Sequence, residues 1–170
     1  GGGNPPIWSA DGKRILAPFA KEGRANIGSF DSNTGAKTDL TTGDQAVVTF
    51  RSARDNSKFA LLISTPTRIG DLFVLEGTGG TPKQLTKFND ELFTKLNLTE
   101  PEEVWYTSFD GRKVQAWAQK PPDFDPNKKY PLIEQVYAGP QSAYVPKSFS
   151  PGAPGRFSSL TDLGFIVGQA

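Results

Sequence analysis

Short apolar runs separated by turn residues characterise the first half of the chain. Between positions 7 and 86 these runs alternate with turn-forming dipeptides such as Asp11-Gly12, Thr34-Gly35 and Gly79-Gly80. Helical periodicity is absent there, so the pattern predicts antiparallel strands. We place the strands at 15–19, 26–31, 46–51, 59–64 and 71–76, with short edge strands at 37–40 and 82–85.

A weak repeat with a period of 45 residues underlies these strands. Leu40-Thr41 recurs at positions 85 and 86, Thr34-Gly35 aligns with Gly79-Gly80, and Lys13 aligns with Lys58. A period of this length is typical of a four-stranded propeller blade. Two blades cannot close a ring, since a propeller needs about 4 to 8 of them, so we expect further blades upstream. A single antiparallel sandwich is the alternative.

The run from Trp8 to Lys13, with the sequence Trp-Ser-Ala-Asp-Gly-Lys, is a more specific motif. It resembles the signature of TolB-like and peptidase propeller blades. The resemblance implies that Trp8 packs between adjacent blades while Asp11-Gly12 closes a tight turn. In a sandwich, Trp8 would be an ordinary core aromatic.

The pattern changes after position 87. Asn89 can cap a short helix over 89–98, and a hairpin follows at 103–109 and 113–120 around Asp110-Gly111. The apolar residues over 132–137 predict an interior strand of a larger sheet. A helical pattern over 156–163 then ends at Gly164 in a capping position, before a strand at 165–167.

This order of elements matches the opening of an α/β-hydrolase domain. The predicted fold class is therefore mixed β and α/β. We divide the chain into the last blades of a β-propeller over 1–88, a linker helix over 89–102, and the N-terminal strands of an incomplete α/β-hydrolase domain over 103–170.

Composition narrows the classes of partner. The 170 residues carry 19 basic and 18 acidic side chains, and a net charge of +1 provides no field that would attract nucleic acid or an anionic membrane. No apolar run approaches the roughly 20 residues that cross a bilayer. Because the chain has no methionine and stops within a strand-like sequence, we expect a piece of a longer protein. The lack of cysteine leaves the compartment open.

The candidate chemistry lies in the run from Tyr130 to Pro140. An apolar strand leads directly into Tyr137-Ala138-Gly139-Pro140, which is similar to the oxyanion loop of a serine hydrolase. The chain has no histidine and no Gly-x-Ser-x-Gly pentapeptide, so it cannot assemble a Ser-His-Asp triad. We interpret Asp123 and Asp125 as turn formers and expect neither a metal site nor a cofactor. The serines expected in ordinary loop or helix roles are Ser142, Ser148, Ser150, Ser158 and Ser159.

Several short motifs in the same order carry a resemblance to one family. They are Leu85-Thr86 with Asn89, Pro101-Glu102-Glu103 leading into the run from Tyr106 to Gly111, Lys120-Pro121-Pro122, Tyr130-Pro131-Leu132 and the run from Val136 to Gln141. Across nearly all of its length the chain resembles the prolyl oligopeptidase family of serine peptidases, above all the dipeptidyl-peptidase branch. The resemblance implies that the Tyr137 hydroxyl is an oxyanion-hole donor and that Ala138, Gly139 and Pro140 shape the loop.

The resemblance also implies a peptide substrate, release of N-terminal dipeptides, and a whole protein that can be a homodimer. The catalytic serine, aspartate and histidine would follow this chain, which alone is expected to be inactive. Glu102-Glu103 is interpreted as a pair of solvated linker carboxylates, because the family's substrate-gripping acidic pair lies in the propeller. The alternatives are acylaminoacyl-peptidase or oligopeptidase action within the family, and a non-catalytic scaffold that combines a propeller with a hydrolase-like domain.

Overall fold

Two β-sheets contain most of the regular structure in the computed structural model, which describes residues 5–77, 79–136, 147–149 and 160–169. The first sheet consists of β1 (Ile7–Trp8), β2 (Arg14–Lys21), β3 (Arg24–Asp31), β4 (Lys37–Asp39), β5 (Ala46–Ser52), β6 (Lys58–Thr65), β7 (Arg68–Glu76) and β8 (Lys83–Gln84). The helix α1 (Asp90–Phe93) follows. The second sheet consists of β9 (Glu102–Thr107), β10 (Lys113–Gln119), β11 (Leu132–Gln135) and β12 (Ile166–Gln169).

The first sheet is built from two antiparallel meanders of four strands. Strands β1 to β4 pair in sequence order, and so do β5 to β8. One parallel bridge between Ala25 and Ala46 joins the meanders. All predicted strands of this half are present, because alternation and turn residues are local signals that each meander satisfies within itself.

The predicted Leu-Thr repeat is confirmed by its hydrogen bonds. The Thr41 hydroxyl accepts from the Ile27 amide at 2.9 Å, and 45 positions later the Thr86 hydroxyl accepts from the Leu72 amide at 2.9 Å. The Thr41 hydroxyl also donates to Asn26 Oδ1 at 3.0 Å, and the Thr86 hydroxyl donates to Asp71 Oδ1 at 2.8 Å. Each threonine thus ties the end of a fourth strand to the third strand of its meander.

The aspartate turns of the two meanders are only 44 positions apart, at Asp11 and Asp55. The Asp11 carboxylate accepts a hydrogen bond from the Lys13 amide at 3.1 Å, and the Asp55 carboxylate accepts one from the Ser57 amide at 3.0 Å. A β-bulge near the start of β7 adds one residue to the second meander. Equivalent positions of the two meanders are therefore 44 residues apart before the bulge and 45 residues apart after it. The predicted alignment of Lys13 with Lys58 is therefore wrong, because Lys58 begins β6 whereas Lys13 precedes β2.

Eight nearly inaccessible apolar side chains form the core of the first sheet. They are Leu16, Ile27, Val47, Phe50, Phe59, Leu61, Ile63 and Leu75. Trp8 is not among them, and 59% of its surface is exposed. Trp8 on β1 lines a pocket together with Phe50 and Ser52 of β5, so its partly exposed side chain lies beside the second meander. Its packing between adjacent blades stays a prediction.

The predicted helix over 89–98 is a single turn. Asn89 occupies the N-cap position of α1, but its side chain makes no capping hydrogen bond. Beyond Phe93, the amides of Lys95 and Leu96 bond to carbonyls three residues back, which is the tighter 3₁₀ pattern. A helix this short gains little without a cap or a packed face, so the rest of the segment forms turns.

The second sheet has the order β11-β12-β10-β9. Strands β9 and β10 form the predicted hairpin, and Gly111 in its turn has a φ of 82°. Strand β12 pairs antiparallel with β10 and parallel with β11. The predicted interior strand, β11, lies at the end of this sheet in the part of the chain that the structure describes, and Leu132 is 63% exposed.

Gly164 takes the predicted capping position before β12. Its φ is 85°, its amide donates to the Thr161 carbonyl at 2.9 Å, and the Phe165 amide donates to the Leu160 carbonyl at 3.3 Å. These two bonds form the Schellman motif that ends helices. Of the helical pattern predicted over 156–163, positions 160 and 161 are helical, while 156–159 lie outside the described residues.

Candidate functional site

The carboxyl ends of β11 and β12 lie side by side at one edge of the second sheet. The strands are parallel, and their last paired residues are Gln135 and Gln169. In sheets of this kind, ligands bind beyond the carboxyl ends of the strands. Tyr137 is the second residue after β11, so the chain continues from this edge directly into the predicted oxyanion loop.

The four residues predicted to form that loop, Tyr137, Ala138, Gly139 and Pro140, lie outside the described residues. Of the five serines expected in ordinary loop or helix roles, only Ser148 lies within the described residues. The structure therefore bears on this site through the strand that precedes the loop and through positions 147–149, which follow it in the chain.

Contacts around the start of β11 fix its place in the sheet. The Tyr130 hydroxyl accepts from the Asp125 amide at 2.8 Å, and the Tyr130 ring packs on Phe124 with the ring centres 5.1 Å apart. The Pro131 carbonyl accepts from the Ile166 amide at 2.9 Å. The strand that leads to the predicted loop is thus held in place by the two residues that precede it.

Asp125 is the turn former that the sequence predicts, because its carboxylate accepts from the Asn127 amide at 2.9 Å. Within the described ranges, no group of three or more histidine, cysteine, aspartate or glutamate side chains could hold a metal ion. No helix in those ranges is long and apolar enough to cross a membrane.

A set of five charged side chains, which we call the junction cluster, lies between the two sheets. Its members are Arg24, Asp44, Glu100, Glu103 and Lys147. Arg24 Nε is 2.7 Å from Asp44 Oδ1, and Arg24 Nη2 is 2.8 Å from Glu103 Oε2. Lys147 Nζ is 2.7 Å from Asp44 Oδ2 and 3.6 Å from Glu100 Oε2. The cluster therefore connects β3 of the first sheet with β9 of the second.

The Trp117 ring lies against both cations of the junction cluster. Arg24 Cζ and Lys147 Nζ are each 5.4 Å from its ring centre, and Trp117 is 4% exposed. Cation–π contacts of this kind contribute about 2 kcal/mol when they are shielded from water. Gly23 lies against the same ring, and a Cβ at that position would be 2.5 Å from Trp117 Cζ2. The hairpin turn of the first sheet thus packs directly on the second sheet.

The junction cluster perturbs two of its own members. The hydrogen bond from Arg24 holds the pKa of Glu103 below its usual value, and bonds from Gln115 and Trp105 act in the same direction. For Arg24, burial acts to lower the pKa, but the bonds and charges of Glu103 and Asp44 outweigh it and raise the pKa. Both groups are therefore held in their charged forms.

The interpretation of Glu103 as a solvated linker carboxylate is wrong. Its side chain is 25% exposed and accepts from three donors, whereas Glu102 is 54% exposed and pairs with Lys120 at 2.7 Å. Sequence reasoning missed the junction cluster because Arg24 and Glu103 are 79 positions apart. No local spacing rule connects residues at that separation.

No protein-family model matches the chain. The curated relatives include the peptidase YuxL of Bacillus subtilis, 26% identical over 162 residues, which are 95% of this chain and 24% of that protein. They also include dipeptidyl-peptidase 5 of Porphyromonas gingivalis, 30% identical over 135 residues, which are 79% of this chain and 19% of that protein. The chain is homologous to the serine peptidases of the prolyl oligopeptidase family. It spans about a fifth to a quarter of the length of these relatives.

Solved structures of the prolyl oligopeptidase family share the fold. Acylaminoacyl peptidase from Pyrococcus horikoshii matches 92% of this chain with a TM-score of 0.73 at 23% identity. Dipeptidyl peptidase 4 from Porphyromonas gingivalis matches 95% of it with a TM-score of 0.69 at 21% identity. The chain covers 23% of each of these structures.

Proposed function

We propose that the whole protein is a serine peptidase of the prolyl oligopeptidase family that releases dipeptides from the N-termini of peptides by acyl transfer. The observation that carries the proposal is the 30% identity to dipeptidyl-peptidase 5 over 79% of the chain. The run from Val136 to Gln141, which resembles the oxyanion loop of the dipeptidyl-peptidase branch, supports the same choice.

In this proposal the two meanders of the first sheet are the last blades of a propeller, within positions 1–88. Positions 89–102 form the linker, and positions 103–170 form the first strands of the hydrolase domain. Two four-stranded antiparallel units with repeated hydrogen bonds support the first assignment. The mixed sheet with a parallel β11–β12 pair supports the last.

The proposed reaction begins when a serine oxygen bonds to the peptide carbonyl carbon and its proton passes to a histidine. The carbonyl oxygen then carries a negative charge, to which the Tyr137 hydroxyl donates a hydrogen bond. A donor of this kind contributes about 3 to 4 kcal/mol to stabilising the transition state. The C–N bond breaks, the amine leaves with the proton, and water hydrolyses the remaining ester.

This chain supplies only the oxyanion donor to that reaction. Its sequence contains no histidine and no Gly-x-Ser-x-Gly motif, so the base and the nucleophile belong to other parts of the whole protein. Ala138, Gly139 and Pro140 shape the loop in this proposal. The chain alone is accordingly proposed to be inactive.

Three measurements on the full-length protein test the proposal. A fluorophosphonate probe should label its serine, and the protein should hydrolyse a dipeptidyl p-nitroanilide. Tyr137→Phe should lower kcat at least about tenfold with little change in KM, because the lost donor acts on charge that develops only in the transition state. Tyr106→Phe is the matched control, since this phenol is 44% exposed on β9 at the far end of the second sheet.

The same assays separate the proposal from its alternatives. Labelling with hydrolysis of acylaminoacyl substrates instead of dipeptidyl ones would assign the acylaminoacyl-peptidase activity. No labelling and no hydrolysis would indicate a non-catalytic scaffold. Unchanged turnover in Tyr137→Phe would remove the oxyanion role from this residue.

A further inference from the structure

The pocket beside Trp8 lies between the two meanders of the first sheet and has a volume of about 450 Å³. This volume falls in the range of small-molecule sites. Residues of β1 line one side, and residues of β5 and of the turn after it line the other. Strand β5 runs from near Asp44 of the junction cluster to Ser52 in the pocket wall, a length of about 20 Å. The pocket is therefore at the opposite end of β5 from the junction cluster.

The turns that border this pocket have the same backbone structure in both meanders. The Ser9 amide donates to the Arg14 carbonyl at 2.9 Å, and 44 positions later the Ala53 amide donates to the Lys58 carbonyl at 2.8 Å. The residues with positive φ, at positions 12 and 56, are related by the same offset. The side chains of the two turns can therefore be compared position by position.

The second turn has two arginines where the first turn has apolar residues. Arg51 is equivalent to Ile7, and Arg54 is equivalent to Ala10. Both arginines line the pocket. The turn does not need their charges, because its hydrogen bonds come from the backbone and from the Asp55 carboxylate. The arginines thus add a chemical property to the pocket that the repeated fold does not require.

The two guanidinium groups are available to a ligand. Arg54 is exposed and makes no hydrogen bond or ion pair with any residue that the structure describes. Arg51 Nη1 donates to the Phe50 carbonyl at 2.7 Å, which holds this side chain beside the pocket. None of the described residues in the pocket wall is acidic. The carboxylate of Asp55, next to Arg54 in the chain, accepts from the Ser57 hydroxyl at 2.7 Å.

Trp8 gives the pocket an apolar wall beside these charges. Its side chain is 59% exposed, and Phe50 lines the same pocket. A guanidinium group binds a carboxylate through two parallel N–H···O bonds, and an indole ring packs against apolar groups. The combination is suited to a carboxylate that has an apolar group close to it.

We propose that the pocket lined by Trp8, Arg51 and Arg54 binds a carboxylate that adjoins an apolar or aromatic group. Arg54 pairs with the carboxylate, Arg51 adds a second positive charge, and Trp8 packs against the apolar group. In a peptide, this chemistry occurs at a C-terminal apolar residue and at an acidic side chain next to an apolar residue. The inference rests on the described residues of the first sheet and does not depend on the proposed peptidase function.

Calorimetric titration of the full-length protein with three probes tests the proposal. The protein is first treated with a fluorophosphonate, so that no probe is hydrolysed. N-acetyl-alanyl-phenylalanine is expected to bind with a Kd of about 1 mM or below, and its C-terminal amide should bind at least about tenfold more weakly. The third probe, N-acetyl-glutamyl-phenylalanine amide, has its carboxylate on a side chain. Its binding would add acidic side chains to the ligands of the site, and its failure to bind would restrict the site to C-termini.

Variants assign the binding to the pocket. Arg54→Ala should weaken the binding of N-acetyl-alanyl-phenylalanine at least about tenfold, because a charge-assisted hydrogen bond is lost. Trp8→Ala should weaken it about three- to tenfold through the lost apolar contact. The matched control is Arg112→Ala, which removes an exposed arginine in the hairpin turn of the second sheet, 3.3 Å from Asp110. The Kd of this control should stay within about twofold of the wild-type value.

Three results would overturn the inference. They are equal affinity for the acid and its amide, unchanged affinity in Arg54→Ala, and no binding of N-acetyl-alanyl-phenylalanine up to about 10 mM. Arg54→Ala is the decisive variant, because an exposed side chain without a partner can be removed without affecting the fold. Its thermal unfolding midpoint should accordingly equal that of the wild type. If Trp8→Ala does not fold, Trp8→Leu takes its place and should weaken binding in the same direction.

Discussion

Replacement of Thr41 by valine removes one buried hydroxyl from the repeat that ties β4 to β3. Thr41 is 1% exposed, and its hydroxyl accepts from the Ile27 amide at 2.9 Å and donates to Asn26 Oδ1 at 3.0 Å. Asn26 Oδ1 keeps a bond from Gln45 Nε2 at 3.2 Å. The Ile27 amide, in contrast, would face a methyl group inside the core.

The structure sets the size of the expected effect. An ordinary hydrogen bond contributes about 1 kcal/mol net, and a buried donor left without a partner costs about 1 to 3 kcal/mol. Thr41→Val should therefore destabilise the first meander by about 2 to 3 kcal/mol. Thr86→Val removes the equivalent hydroxyl in the second meander, but its partner residue Leu72 is 45% exposed, so water can replace the lost bond. We expect a cost of about 0.5 to 1 kcal/mol there.

Amide hydrogen exchange in the full-length protein measures both effects at their own sites. In Thr41→Val, exchange of the Ile27 amide should accelerate about 30- to 150-fold, since every 1.4 kcal/mol corresponds to a factor of ten. In Thr86→Val, exchange of the Leu72 amide should accelerate less than about tenfold. Equal acceleration in the two variants, or a larger one in Thr86→Val, would refute the argument from burial.

Two further predictions concern the junction between the sheets. Because the folded-state pKa of Glu103 is lowered by Arg24, the stability from this pair is present above the usual glutamate pKa of about 4.3 and is lost as the pH falls below it. Urea unfolding at pH 7 and pH 3 should accordingly show a smaller loss in Glu103→Gln than in the wild type; an equal loss contradicts the assignment. Gly23→Ala should lower the unfolding midpoint more than Gly12→Ala, because both have φ near 70° but only a Cβ at Gly23 meets Trp117.

Local patterns predicted the strands more accurately than the helices. The strand predicted at 71–76 begins earlier, at Arg68 in β7, because the bulge interrupts the alternation on which the prediction depends. The helix predicted from Asn89 is one turn long because the expected cap bond is not made. In both cases the sequence indicated the type of element correctly, and backbone geometry that no pattern encodes decided its length.

The candidate site likewise has features that the sequence predicted and features that it did not. The position of Tyr137 after an apolar strand is readable in the chain, and so is the absence of histidine. Its oxyanion role stays a prediction, since Tyr137 lies outside the described residues. The order of strands in the second sheet was not predicted, because β12 pairs with β10, about 50 positions earlier in the chain.

The sequence by itself determined the turns, the two repeated meanders and the family, since each depends on residues close together in the chain or on motifs in a fixed order. Only the tertiary structure decided that Arg24, Lys147 and Trp117 meet between the sheets. The physical reason is that a charge removed from water is stable only when it is paired, and the partner that lies close in space can come from any part of the chain. Positions that are 93 residues apart, such as 24 and 117, carry no shared pattern that reveals the contact.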